Sequence, residues 1–328
     1  MKLSSHELKN IKDVLKKWAI SKYQLQGKTT LNDLYKALSE MDFTPIINSF
    51  AKRLNEVSYR FTKSEQVSGS ICFFGGVLTS LVNTGKIEEI EGIFTFSLCY
   101  MLVDHFLDNI DNSEKEKGQC MKDIVNLLLY DIESSDNKLI NAAMDRYRIL
   151  IKNNPDCKKY IIDLLKSELQ GVTVSKNKNL KREEYKSIAE EKGGKTSLAI
   201  SQIIRLKDDS IHYDCGKCIQ LIDDFLDIKD DESLNIYTLA RYDLDHNNLD
   251  RYVYDSIQEI DKLSSTYNTF KSILIGGLVL AINDNYKHVS TELLSCFEEY
   301  NIFGPENSKD SLNEWFHEKL YEYIENRK

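Results

Sequence analysis

The chain has 328 residues, 41% hydrophobic and 29% charged, which fits a soluble globular protein of one large domain or two ordinary ones. Its formal net charge of -9, with no basic block or stripe, argues against nucleic acid as the main partner and against constitutive binding to an anionic membrane surface. The longest apolar run, Ile273 to Ile282, is too short to span a bilayer, and the first 20 residues are amphipathic and charged rather than signal-like, so a cytoplasmic protein without a membrane span is expected.

Only 3 prolines and 14 glycines occur, while Leu, Ile, Lys, Glu and Asp abound, the composition of a mostly helical chain. The 7 cysteines are an odd number scattered through apolar stretches and read as reduced thiols. Cys215 and Cys218 form a single CxxC, which without a second pair is weak evidence for zinc or redox chemistry.

Residues 5–26 are charged and periodic and predict a surface helix. Thr29 or Thr30 can cap the next helix, and Pro45 falls near the start of another that runs to about residue 60. Residues 67–83 are uncharged and hold Phe73-Phe74-Gly75-Gly76; a glycine pair inside an apolar helix lowers its propensity, and close approach of a neighbouring helix or a ligand is the compensation. Further helices are predicted over residues 87–111, 114–134, 137–153, 156–174, 183–206 and 209–231, with a Lys- and Asn-rich loop at 175–182. Gly193-Gly194 in the helix over 183–206 predicts a local break beside a cavity; the spacing of Lys192-Gly-Gly-Lys195-Thr196 is wrong for a P-loop. A loop with a short helix follows over 232–250, then four helices over 249–265, 268–286, 288–301 and 309–327. No linker divides the chain and no strand alternation is present, so the expectation is one all-α domain, residues 1–328, built as a single large helical bundle.

Two stretches carry the chemistry. Asp104, Asp108 and Asp111 follow i, i+4, i+7 spacing after a run of uncharged, mostly apolar residues. Asp223, Asp227 and Asp231 follow i, i+4, i+8 spacing among Ile222, Phe225, Leu226 and Ile228. Carboxylates aligned on an apolar helix repel one another unless cations neutralise them, and hard divalent cations, Mg2+ above all, are the natural neutralisers. Two such rows facing each other across a bundle would make a pocket acidic at its mouth and apolar inside, suited to a diphosphate head and a hydrocarbon tail. Phe73, Phe74, Phe94, Phe96, Tyr100, Phe106 and Phe225 are candidate tail-lining residues; ordinary core packing is the alternative for each.

The run Gly216 to Asp227, with Gln220, Asp223, Asp224 and Asp227, resembles the second aspartate-rich motif of trans-prenyl diphosphate synthases. Asp104-His105-Phe106-Leu107-Asp108 resembles their first DDxxD with His105 at the second aspartate, and Lys195-Thr196 resembles their lysine-threonine pair. The resemblance covers roughly residues 66–240 and implies the class I isoprenoid synthase fold, a bundle around a central cavity. The paired arginines that follow the first motif in chain-elongating members are missing: Asn109 to Lys117 contains none. Their Gly-Lys-Arg stretch is replaced by Ser68 to Phe74. Cys72 to Gly76, Asp104 to Asp111 and Asp223 to Asp231 are also similar to stretches of bacterial large terpene synthases of the tetraprenyl-curcumene type.

The resemblance therefore implies a terpene synthase that ionises one linear prenyl diphosphate with Mg2+ (three ions, or Mn2+ in their place) and cyclises the allylic cation. It implies Asp104, Asp108, Asp223 and Asp227 as catalytic metal ligands, Asp231 as a further ligand, Asp224 and Gln220 in support, and Lys195 as the cationic partner of the diphosphate. Arg205 and Arg241 are weaker diphosphate candidates, equally readable as surface salt-bridge residues. The alternatives are a prenyltransferase that condenses an allylic diphosphate with isopentenyl diphosphate, and a noncatalytic subunit of a prenyl synthase; a homodimer is compatible with all three.

Overall fold

The structure is a computed structural model that describes residues 3–18, 50, 53–54, 66, 69–70, 72–73, 75–77, 79–80, 89–108, 111–130, 134–135, 138–174, 177–206, 209–264 and 268–297. Among these residues all regular structure is helical and no strand occurs. The helices are α1 (Ser5–Trp18), α2 (Ile90–Asp108), α3 (Glu114–Tyr130), α4 (Lys138–Asn153), α5 (Cys157–Val174), α6 (Arg182–Ile203) and α7 (Asp209–Leu226). They continue as α8 (Ile228–Leu234), α9 (Leu239–Asp245), α10 (Leu249–Lys262), α11 (Asn268–Asp284), a 3-10 turn at Tyr286–His288, and α12 (Thr291–Leu294). The helices expected from the caps at Thr29 or Thr30 and over 309–327 lie outside the described residues. No described helix is long and apolar enough to cross a membrane.

Residue contacts sort the chain into two compact units. The α2 unit comprises residues 43–177, 194–216 and 317–328; the α11 unit comprises residues 1–42, 178–193 and 217–316.

In the α2 unit, α2 packs on α4 and α3 on α5. Helix α2 is apolar on nearly every side and is buried accordingly: Ile93, Phe94, Phe96, Leu98, Met101, Leu102 and Val103 all belong to the core. Phe94 meets Phe50 and Phe73 at ring-centroid distances of 5.3 and 6.3 Å, giving this core an aromatic centre. The expected role for the Phe73–Gly76 stretch is met at Gly76, where a Cβ would stand 2.5 Å from Ile93 Cγ2; at Gly75 it would meet nothing. Asn112 closes the helix by donating from Nδ2 to the Phe106 carbonyl at 2.8 Å. Ser113 and Glu116 then start α3 as a reciprocal capping box, the Ser113 amide donating to Glu116 Oε2 and the Glu116 amide to Ser113 Oγ.

The break expected at Gly193-Gly194 does not occur. Helix α6 runs unbroken through both glycines. Their value is proximity: a Cβ on Gly194 would lie 2.4 to 2.6 Å from the Tyr213 ring of α7, so only a residue without a side chain lets that ring lie against the helix. At the end of α6, Arg205 takes the left-handed conformation (φ 59°), and the Leu206 amide reaches back to the Ser201 carbonyl at 2.8 Å.

In the α11 unit, α10 and α11 pack together, with α1 against both and α9 against α10. Helix α11 is apolar almost throughout, and Leu274, Ile275, Leu278, Ala281 and Ile282 are buried. The expected helix over 288–301 is instead the 3-10 turn followed by the four-residue α12, capped by Ser290 Oγ, which accepts from the Leu293 amide. Asp243 of α9 is fully buried and is gripped by both carboxylate oxygens: Arg182 donates from Nε at 2.9 and 3.0 Å and from Nη2 at 2.7 Å. Asn248 adds a fourth bond to Asp243 Oδ1 at 2.9 Å, so the buried charge is paired and solvated by protein donors.

The Tyr213 contact sets the sign of a substitution. Gly194→Ala should destabilise the protein by about 1–2 kcal/mol through overpacking, although alanine is the better helix former. In a Tyr213→Ala background the same change should stabilise by ~0.5–1 kcal/mol. Chemical denaturation of the four proteins measures both; equal effects in the two backgrounds would contradict the assigned contact.

Candidate functional site

The second aspartate row is built where α7 passes into α8. Asp227 stands at the junction with φ -88° and ψ 6°, outside the helical well. The hydrogen-bond ladder crosses the junction: the Asp227 amide donates to the Asp223 carbonyl at 2.9 Å, and the Asp231 amide to the Asp227 carbonyl at 2.8 Å. The row therefore keeps its four-residue spacing. Asp227 occupies the position before α8 where an aspartate ordinarily accepts from free helix amides, yet its side chain makes no capping bond. Its carboxylate is left for other partners.

Each flanking acid is held. Gln220, buried on α7, donates from Nε2 to Asp223 Oδ2 at 3.2 Å and to Asp224 Oδ1 at 2.8 Å. Thr238 Oγ1 donates to Asp231 Oδ2 at 3.1 Å. Asp224 and Asp231 are buried, Asp227 is half-buried and Asp223 is the most exposed of the four.

Crowding of like charges shows in their proton affinities. Burial pushes Asp224 up to about 7, against the pull of Gln220's hydrogen bond. Burial, then repulsion from Asp223, Asp231, Asp230 and Asp224, pushes Asp227 up to about 9. Burial and the charge of Asp224 push Asp231 up to about 8, opposed by Thr238 and Lys192. Asp223 is also raised, by the protein packed around it, despite its solvent-facing position.

The first acidic stretch is placed differently from expectation at one residue. Asp104 is half-buried on α2 and Asp108 is the last residue of that helix, but Asp111 lies beyond it in an exposed turn. The i, i+4, i+7 face therefore ends at Asp108, because the Asn112 bond and the Ser113 cap stop one helix and start another. Asp104 borders a small recess with Tyr100, Val103, Leu107, Tyr147, Leu164 and Leu165, closed on one side by Glu168 of α5. The sequence reading passed over Glu168. Its signal was present: Ile161, Leu164 and Leu165 define an apolar stripe, and Glu168 occupies the next position on it.

Among the predicted diphosphate ligands, Lys195 is half-buried on α6. Lys192, three residues earlier and on the same helix face, was not singled out, yet its charge lowers Asp223, Asp224 and Asp231. Arg205 lies in a surface pair with Glu89 at 3.2 Å, its side chain 65% exposed. Arg241 of α9 is mostly buried and pairs with Glu232 at 2.9 Å and Asp245 at 3.3 Å, while its Nη1 is buried and has no hydrogen-bond partner among the described residues. Phe73 sits in the aromatic core, Tyr100 borders the Asp104 recess, and Phe74 lies outside the described residues. Cys215 and Cys218 are buried on α7 and form no disulfide; Cys99, Cys120, Cys157 and Cys296 are likewise buried and outside any disulfide, and Cys72 is half-buried.

Among the described residues no three His, Cys, Asp or Glu side chains converge as ligands of one metal ion. The donor chemistry nevertheless suits Mg2+, which usually keeps several waters and is bound by one or two carboxylates together with substrate phosphates, not by an all-protein cage. An uncapped Asp227 between two held aspartates, all three raised chiefly by burial, is a donor set of that kind. No protein-family model matches the chain, and no curated protein or solved structure matches it significantly.

The raised carboxyls set a pH dependence. Each titrates above the roughly 4 of an unfolded aspartate, so each holds its proton more tightly in the folded state. Their contribution to stability is complete below about pH 4 and is lost as pH rises through the values near 7, 8 and 9. In EDTA, the unfolding temperature should fall from about pH 4 to about pH 9 and level off above that, and Asp227→Asn should make the fall shallower and end it near pH 8. Scanning calorimetry of both proteins checks this; parallel profiles would count against the crowded row.

Proposed function

We propose that this chain is a class I terpene synthase of the isoprenoid synthase superfamily, acting on a linear prenyl diphosphate with Mg2+. The observation that carries the reading is the α7–α8 row: Asp223, Asp227 and Asp231 held at four-residue spacing, Asp227 raised by burial and then by the charges of its neighbours, with the middle carboxylate making no capping bond to its own helix. Aspartates that only decorated a solvated face would relieve their repulsion in water; here Asp231 is buried and Asp227 half-buried.

Bound at such carboxylates, Mg2+ would neutralise the charge that develops on a departing diphosphate. The remaining roles fall to the chain. Asp104 and Asp108 are assigned to one set of ligands, and Asp223, Asp227 and Asp231 to the other. Lys195 and Lys192 supply fixed positive charge for the diphosphate, and the buried Nη1 of Arg241 is a donor with no hydrogen-bond partner among the described residues. Heterolysis of the carbon–oxygen bond leaves the electron pair on the diphosphate and an allylic cation on the hydrocarbon. Ring closure follows by attack of a substrate double bond on that cation, and loss of a proton or capture of water ends the sequence. Tyr100, Val103, Leu107, Leu164 and Leu165 make a small apolar recess beside Asp104. Absence of arginine from residues 109–117 removes the usual holders of a second diphosphate and favours the one-substrate reaction over condensation.

Incubation with C10, C15, C20 and C25 diphosphates, each alone with Mg2+, should give a cyclic hydrocarbon or alcohol detectable by gas chromatography. Asp104→Asn and Asp227→Asn should each lower turnover by at least about 100-fold with helical content unchanged. A longer linear diphosphate formed only when isopentenyl diphosphate is added would replace cyclisation with condensation. No turnover of any of them, with co-purification of an active synthase, would make the chain a noncatalytic subunit.

A further inference from the structure

Asp231 is hydrogen-bonded by Thr238, a residue outside α7 and α8. The chain leaves α8 through Asn235, which takes the left-handed conformation at φ 53°, and the Ile236 amide returns to the Asp231 carbonyl at 2.8 Å. Three residues on, Thr238 starts α9. Its Oγ1 accepts from the Arg241 amide at 3.4 Å, a long capping bond, and donates to Asp231 Oδ2 at the shorter 3.1 Å. The hydroxyl cannot drift, because α9 is anchored at its far end by fully buried Asp243 in the grip of Arg182 and Asn248. Tyr237, next to Thr238, adds a bond from its hydroxyl to Asp245 at 2.9 Å and a ring contact with Tyr185 at 5.4 Å.

We infer that Thr238 is a positioning residue that fixes the Asp231 carboxylate for cation binding, with the Arg182–Asp243 clamp holding Thr238 in place. This rests on the magnesium-dependent reading of the row. A carboxylate ligand free to rotate must be ordered when the ion binds, and a donor on its second oxygen removes that requirement while leaving the first oxygen open. The role of Thr238 thereby differs from plain helix capping, which any good cap residue supplies.

The test follows Mn2+ binding to the full chain without substrate, read from the loss of the free-ion electron paramagnetic resonance signal. Thr238→Val should weaken binding about tenfold or more, and Thr238→Ser should stay within about threefold of wild type, the range expected for removing or keeping a partner of a ligand. Thr238→Gly preserves the helix start at little loss of stability and lacks the hydroxyl, so it should match Thr238→Val even if the valine protein folds poorly. Ser290→Ala, which removes a cap at α12, should leave affinity unchanged. Wild-type affinity in the glycine variant, alongside loss of binding in Asp231→Asn, would overturn the positioning role and leave the metal reading standing. Absence of saturable Mn2+ binding by the wild type, or unaltered binding by Asp231→Asn, would overturn both.

Discussion

Like charges in a row must be neutralised, protonated or moved apart, and the α7–α8 segment holds its acids close while burial raises Asp227 to about 9 and Asp231 to about 8. Its ladder fixes Asp223, Asp227 and Asp231 one turn from each other, and the surrounding protein restricts the water that would screen them. The local features of this segment answer that constraint. Gln220 shares one amide between two acids, Thr238 takes one oxygen of the third, and Lys192 adds positive charge from α6. Neutral donors and one cation reduce the repulsion without removing it.

The fixed scaffold behind it shows how such a segment is held in a folded chain. Asp243 is wholly buried and would be costly to leave unpaired, yet it makes four hydrogen bonds to Arg182 and Asn248. Asp243 has its donors supplied in full, whereas Asp227 has none from its own helix. That contrast between two aspartates of one unit separates an acid that holds structure from one that is available to bind.

Helix identity and the spacing of the aspartate row were legible because both follow from periodicity, which local sequence carries. The ends of α2, α4 and α5 lie close to expectation for the same reason: Asn112, Ser113 and Asn154-Pro155 are strong local signals. What failed needed knowledge of a neighbour. Gly193-Gly194 reads as a break until Tyr213 is seen lying over Gly194. Asp111 reads as a third helical acid until the Asn112 side chain is seen ending the helix beneath it. Glu168 and Thr238 were missed because their importance lies in side chains distant in sequence or across a turn, Asp104 for one and Asp231 for the other. Of the boundaries between the two units, 177–178 falls in the Lys- and Asn-rich loop expected at 175–182, whereas 193–194 and 216–217 fall within helical sequence and carry no linker signal.

The ladder that crosses Asp227 has a consequence for order in the segment beyond it. Seven residues are too few to persist as an independent helix in water, so α8 depends on the register handed on by α7. Backbone amides of the two should then open together in hydrogen exchange, as one cooperative block and not as a stable rod with a fraying tip. Asp231 is thereby tied to the buried turns of α7 that precede it, although a non-helical residue stands between them.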